Sequence, residues 1–342
     1  MNILLLSNGY PSKELPFGSI YVKNHYERLR KIPGYTVEKH VILRKNTSFF
    51  GSLVKYFWCF ISFAAKMPKN YDVVHVHFLS PVYLLAYLYK LRKPGCRTVI
   101  TFHGSDINEL KSSSLIKFYQ RLFKKNDVSI AVGEELKKRA ERLLKIKVDY
   151  VLPAGFNDAI FYDKGFLYEE RDIDFLYVGS FIPVKGLNTV IESVKKLNDR
   201  DIKFVFVGTG ELETRLNQLS EHYNVDVIQG LPQEELNDIY NRARFFMLPS
   251  RKEGFGLALT EAMLCGTPGI VRNIPQLRHQ ITDGKNGFLF QGSDELVSVI
   301  NKCNMMVFEE WNKLSERAQK NAEQYSLSKV IDVMREIYEN KL

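Results

Sequence analysis

The sequence predicts an α/β protein made of two doubly wound domains, each a parallel sheet covered by helices on both faces. Three observations predict it. Short apolar runs suited to buried strands alternate with helix-length stretches along the whole chain. The length of 342 residues suits two domains, at roughly 150 residues each. An aperiodic stretch from Pro153 to Arg171, holding Gly155, Asn157, Asp158 and Gly165, interrupts the alternation near the middle. The expected division is a first domain at 1–155, a linker at 156–171, a second domain at 172–326 and a closing helix at 327–342.

In the first half the strand runs are 2–6, 37–43, 73–78, 97–102, 128–132 and 149–152. Helical stretches fall between them at 20–31, 53–66, 82–91, 115–125 and 134–144. The second half repeats the scheme, with strands at 175–178, 203–207, 225–228, 244–248 and 269–271. A last helical pattern, 327–340, follows the turn at Ser326. Strands separated by helices of this length need crossover connections, which favours parallel sheets buried on both faces.

Composition narrows the class. The chain is 45% hydrophobic and 25% charged, an ordinary globular balance. Cys59, Cys96, Cys265 and Cys303 form no Cys-x-x-Cys pair and no framework spacing, which predicts reduced thiols and a cytosolic setting. Met1–Ser7 has too short an apolar run and no basic lead for a signal peptide. Residues 1–170 carry 27 Lys and Arg against 15 Asp and Glu, leaving 21 against 24 for the rest. A basic first half attracts phosphates, anionic headgroups or acidic glycans. No nucleic-acid recognition module accompanies it, so nucleic acid is not an expected partner.

The run from Tyr56 to Ala65, flanked by Lys55, Lys66 and Lys69, is too short to span a bilayer. It reads either as a core helix or as one whose aromatic side lies in the headgroup layer while its lysines snorkel. Pro81–Leu91, which ends in Arg92 and Lys93, poses the same question.

Chemistry concentrates between Ser250 and Pro268. The strand 243–248 leads into a loop with Glu253, Gly254, Phe255 and Gly256, and a helix opens at Leu257. That places the loop at the carboxyl edge of a parallel sheet, where ligands bind, beside a helix N-terminus that suits phosphate. The glycines let backbone approach a ligand. Glu253 suits sugar hydroxyls, and Glu261 suits the vicinal diol of a ribose because a carboxylate accepts two hydrogen bonds at once.

Gly179, Ser180 and Lys185 follow another strand, in Tyr177-Val-Gly-Ser-Phe-Ile-Pro-Val-Lys-Gly186. A lysine at a helix start opposes the dipole, and it suits a diphosphate whose charge grows as it leaves. Val207-Gly208-Thr-Gly210 resembles a dinucleotide turn, but Glu213 stands where its third glycine belongs, which argues against NAD. His75 and His77 share a strand face and His103 ends a later strand, so a three-histidine metal site is geometrically conceivable. Asp172 and Asp174 form a carboxylate pair without matching context.

Together, Glu253-Gly-Phe-Gly256, Glu261 and Cys265-Gly-Thr-Pro268 resemble the signature of the retaining glycosyltransferases of family 4. The resemblance covers most of the chain and is strongest over 175–270. It implies the GT-B fold, two Rossmann-like domains facing a cleft, with the last helix crossing back to the first domain. It makes Lys185 the diphosphate contact, Glu253 the sugar contact and Glu261 the ribose contact. Gln229-Gly-Leu231-Pro232 matches the nucleobase contact. Thr101-Phe-His103-Gly-Ser-Asp106 resembles the His-Gly-x-Asp element, making His103 a sugar contact and Asp106 an acceptor-side residue. Phe17-Gly18-Ser19 matches the glycine loop under the diphosphate.

The pattern departs at Ser180, where the family commonly has Arg, so that Arg251 or Lys252 would have to compensate. It also departs at Asn157 and at the missing double glycine near Gly18. The implied reaction moves a sugar from a nucleoside diphosphate sugar, UDP or GDP, to a hydroxyl of a glycan or lipid-linked glycan in bacterial surface polysaccharide synthesis. No metal and no cofactor are implied, and the setting would be cytoplasmic or peripheral at an anionic membrane face. The alternatives are an epimerase or phosphorylase of the same fold, or a non-catalytic glycan- or membrane-binding relative.

Overall fold

In the computed structural model, which describes residues 1–12, 18–43 and 49–340, strands and helices alternate along the chain. The first half forms β1 (Asn2–Ser7), α1 (Ile20–Leu29), β2 (Thr36–Val41), α2 (Phe49–Phe63), β3 (Val73–His77), α3 (Tyr83–Arg92), β4 (Arg97–Phe102), the single turn α4 (Ser105–Asn108), α5 (Ser113–Leu122), β5 (Val128–Ala131), α6 (Glu134–Leu144) and β6 (Tyr150–Val151). The second half forms β7 (Ile173–Val178), α7 (Leu187–Leu197), β8 (Phe204–Val207), α8 (Glu213–Ser220), β9 (Val225–Ile228), α9 (Gln233–Asn241), β10 (Ala243–Leu248), α10 (Leu257–Leu264), β11 (Gly269–Arg272), β12 (Gly287–Phe290), α11 (Ser293–Asn304) and α12 (Phe308–Ala322). The closing helix is α13 (Leu327–Tyr338).

Two six-stranded sheets result, ordered β2-β1-β3-β4-β5-β6 and β12-β11-β10-β7-β8-β9. Their strands pair in parallel. Each sheet is wound outward in both directions from one point. In the first, the chain leaves β1 for β2 and returns to β3 on the other side; in the second, β8 and β9 add to one side of β7, and β10 then adds to the other. Both points of reversal lie where loops from adjacent strands separate and leave a crevice at the carboxyl edge.

The chain divides into two compact units, Met1–Gly155 with Leu327–Leu342, and Phe156–Ser326. In the first, α13 buries Leu327, Val330, Ile331, Met334, Ile337 and Tyr338 against Ile3, Leu5, Leu29 and Val73. Gly155 keeps a left-handed φ of 77°, and a Cβ there would stand 3.0 Å from the Leu327 backbone.

The stretch 156–171, read from sequence as a linker, belongs to the second unit. Phe156 and Phe161 are in its core, and the buried Arg171 guanidinium donates to Ala243 O at 2.8 Å and to Thr267 Oγ1 at 3.0 Å. Its apolar residues cluster at 159–162 and 166–168 and follow neither a helix nor a strand period. The strand β12 was not among the expected strands. The helix α2 is not a core helix. It buries Cys59 and Phe63 and exposes most of its other large apolar side chains. Among the described residues no helix is long and apolar enough to cross a membrane.

Candidate functional site

In the second unit the loops after β7 and β10, neighbours at the reversal point, clasp one another. Arg251 N donates to Val184 O at 2.9 Å. Gly186 has a φ of 76°, and a Cβ there would fall 1.9 Å from Pro249 O, so only glycine allows the two loops this approach. Arg272, on β11, fastens the same place by donating to Pro249 O at 3.0 Å and to Thr189 Oγ1 at 2.6 Å. The result brings together two residues 68 positions apart: Lys185 Nζ donates to Glu253 Oε1 at 2.7 Å. Their side chains are 27% and 10% exposed, so the pair is shielded yet reachable.

The surrounding glycines hold backbone rather than side chains at this edge. Gly208 has a φ of 153°, and a Cβ there would meet Gly179 O at 1.9 Å. Ser180 is exposed, and its carbonyl accepts from Tyr177 Oη at 2.9 Å. Leu231, after β9, is partly buried against the second unit's core. Phe255 is buried against His279 and Tyr325. Its carbonyl accepts from Gln280 Nε2 at 2.6 Å, while Gln280 Oε1 accepts from Thr260 at 2.9 Å. One glutamine therefore ties the Glu253-Gly254-Phe255-Gly256 loop to the first turn of α10. Gly256 caps that helix in the left-handed region and Leu257 begins it.

Glu261 lies deeper on α10. Expected to offer both oxygens, it is buried with Oε2 accepting from Tyr240 Oη at 3.1 Å. Burial raises its carboxyl to about 8, so its neutral form is favoured at pH 7. It is a mostly protonated acid under a tyrosine rather than a free carboxylate.

The first unit gathers histidines at its own reversal point. His75 and His77 on β3 stack with ring centroids 4.4 Å apart. His75 is held by Tyr338 Oη at 2.6 Å and Thr101 Oγ1 at 2.8 Å. His77 Nδ1 and His103 Nε2 lie 3.1 Å apart, and His103 stacks on Tyr21 at 4.6 Å. His25, in α1, donates to Ala154 O and lies 5.4 Å from His77.

Burial lowers all four, His25 to about 4 and His75 to about 3, and the neighbouring imidazoles reinforce this for His75, His77 and His103. His77 Nε2 is buried with no hydrogen-bond partner among the described residues. An orphaned lone pair is less costly than an orphaned N–H, which assigns the shared proton to His77 Nδ1 and leaves His103 to carry its own on Nδ1. Among the described residues no group of three His, Cys, Asp or Glu could hold a metal ion.

Asp106 does not present a free carboxylate. It accepts from the backbone N–H of Leu79 at 2.9 Å, Gly104 at 2.8 Å and His103 at 3.2 Å, and so shapes the loop that carries His103. Gly18 immediately precedes Ser19 at the start of α1; Phe17 lies outside the described residues. Arg251 and Lys252 are exposed. Sequence reasoning missed Tyr240, Arg272 and Gln280, which act through hydrogen bonds to residues 21, 23 and 25 positions away. His77 was weighed only as part of a conceivable metal site and not as the partner of His103.

Residues 21–158 match the family described as Glycosyltransferase Family 4, and residues 161–325 match Glycosyl transferases group 1. The chain belongs to the family 4 glycosyltransferases. An uncharacterized glycosyltransferase of Methanocaldococcus jannaschii is 29% identical over 81% of this chain and 79% of its own length. The N-acetyl-alpha-D-glucosaminyl L-malate synthase of Bacillus anthracis is 27% identical over 81% of this chain and 78% of its own. Among solved structures, Anabaena HepE in complex with UDP and glucose superposes with a TM-score of 0.76 at 16% identity, covering 99% of this glycosyltransferase and 100% of HepE. At that identity the likeness shows the fold, which is GT-B.

Proposed function

We propose that this glycosyltransferase moves a sugar, with retention, from a UDP- or GDP-sugar to a hydroxyl of a glycan or lipid-linked glycan in surface polysaccharide assembly. The observation that carries the reading is the Lys185–Glu253 pair, 2.7 Å apart where the second sheet reverses. A lysine held there meets the growing negative charge of a departing diphosphate, and Glu253 releases it to accept sugar hydroxyls. Tyr240 holds Glu261 in place for the ribose, with the acid's other oxygen available. On this reading the acceptor hydroxyl attacks from the face the leaving group departs, and the phosphate oxygen takes its proton, so no protein base and no metal are required. His103 contributes a neutral imidazole to the sugar, its tautomer set by His77. The setting is the cytoplasm, at the inner face of the membrane.

Thermal shift with a panel of UDP-, GDP-, ADP- and CMP-sugars tests the donor. One donor is expected to raise the melting temperature by mass action; no shift with any of them, with or without an acceptor glycan, removes the reading. The malate synthase relative, whose own name specifies a small acceptor, favours a second reading in which a small hydroxy acid replaces the glycan. Mass analysis of products formed with glycan and hydroxy-acid acceptors separates the two.

A further inference from the structure

The helix α2 has one apolar face packed on the first unit and another that is exposed. Its inner face is the ordinary one: Cys59 and Phe63 are buried, His40 Nε2 meets Cys59 O at 2.9 Å, and Phe63 packs edge-on to His40. Its outer face carries Phe50, Leu53, Val54, Phe57, Trp58 and Ile61, spaced as one helical stripe. Phe50 is 75% exposed, and Phe57 and Trp58 are each 61% exposed. A helix that is apolar all round is normally buried all round, and contiguous apolar patches on a surface mark contact sites.

Charge selects the occupant. Residues 39–71 contain six Lys and Arg and no Asp or Glu. Lys55 sits on α2 itself, over the Tyr56 ring. Lys66 and Lys69 follow the helix and share the one carboxylate of Glu38, which leaves that group net positive. A second copy of this surface would set like charges against each other. An aromatic stripe edged by lysines instead matches a bilayer whose headgroups are anionic, with Trp and Phe at the acyl boundary and lysines among the phosphates. At 15 residues α2 is shorter than the roughly 20 needed to span, so it lies in the plane.

We propose that the exposed face of α2 docks this enzyme on an anionic lipid surface, with Phe57, Trp58 and Ile61 inserting and Lys55 engaging headgroups. The inference deepens the membrane setting proposed above and rests on the first unit alone, so its failure would leave the donor reading standing. The chain's two tryptophans make it testable with the full-length protein, because Trp58 is on the stripe and Trp311 is buried in the second unit.

Flotation with phosphatidylcholine vesicles, with and without phosphatidylglycerol, should show binding at least about tenfold stronger on the anionic set, the equivalent of one or two cations near the surface. Emission should shift to the blue on the anionic vesicles and the shift should vanish in Trp58→Phe. Phe57→Ser with Ile61→Ser should abolish flotation while retaining the melting temperature. Should that double variant fail to fold, Lys55→Glu, at a half-buried position beside the stripe, should still weaken anionic binding severalfold. No flotation, equal binding to neutral vesicles, or lipid-independent dimers dissolved by the same substitutions would each overturn the proposal.

Discussion

The two units place different protonation chemistry at the same point of the same topology. Where β1 and β3 part, the first unit gathers His25, His75, His77 and His103, whose neutral forms burial favours. Where β7 and β10 part, the second unit sets Lys185 against Glu253 within reach of solvent and keeps Glu261 below them on α10. The contrast teaches what decides charge at a sheet edge. Side chains on the strands and the helices behind them are desolvated and lose it. Lys185 and Glu253, on the loops beyond, are paired and partly wetted, whereas His103, on its loop against Tyr21, is desolvated like the strand histidines.

The comparison can be broken first by acid. His25 is held at about 4 against an ordinary 6.5. Below 6.5 the unfolded chain therefore takes up protons that the folded first unit refuses. Stability present at neutral pH is lost as the pH falls, by about 2 kcal/mol for His25 between pH 7 and pH 5, with His75, His77 and His103 acting in the same direction. Hydrogen exchange at pH 5 should show β3 and β4 opening before β7 and β10. Simultaneous opening of both sheets would mean that the cluster is not the acid-sensitive element.

Next is the ion pair. Lys185→Ala should lower kcat by about 10²–10³, the effect of removing one donor aimed at developing negative charge, with a smaller change in donor KM. Steady-state kinetics would expose an error if kcat were unchanged.

Smallest is the buried acid. Glu261 is held at about 8 against 4.5 unfolded, so its contribution is complete below 4.5 and fades as pH rises toward 8. The loss amounts to about 2 kcal/mol between pH 6 and pH 8. Glu261→Gln keeps the shape and removes the titration, so its melting temperature should fall less over that interval than that of the unsubstituted enzyme. Parallel curves would show Glu261 already ionised in the folded state.

Much of this was legible beforehand because it is local. Strand runs such as Val73–His77 are buried on both faces and read as continuous apolar stretches interrupted only by histidines. The loop from Glu253 to Gly256 and the lysine before Gly186 announce themselves as glycine-bracketed breaks between strand and helix. What stayed hidden was of two kinds. Segments whose apolar residues follow no period, such as 156–171, gain their place only by packing. Polar partners such as Tyr240, Gln280 and Arg272 look like any helix or strand residue until the fold brings a carboxylate or carbonyl to them.

The amino-acid sequence by itself determined the alternation of strand and helix, the carboxyl-edge position of the glycine loops and the choice of residues with the right chemistry, since period, turn propensity and functional groups are written residue by residue. Tertiary structure alone decided which sheet edges became neighbours, that Lys185 meets Glu253, that Asp106 is spent on backbone N–H groups, and that burial favours the neutral forms of Glu261, His25, His75, His77 and His103. Those outcomes depend on distance and desolvation between residues far apart in the chain, and neither quantity exists until the sheets have closed.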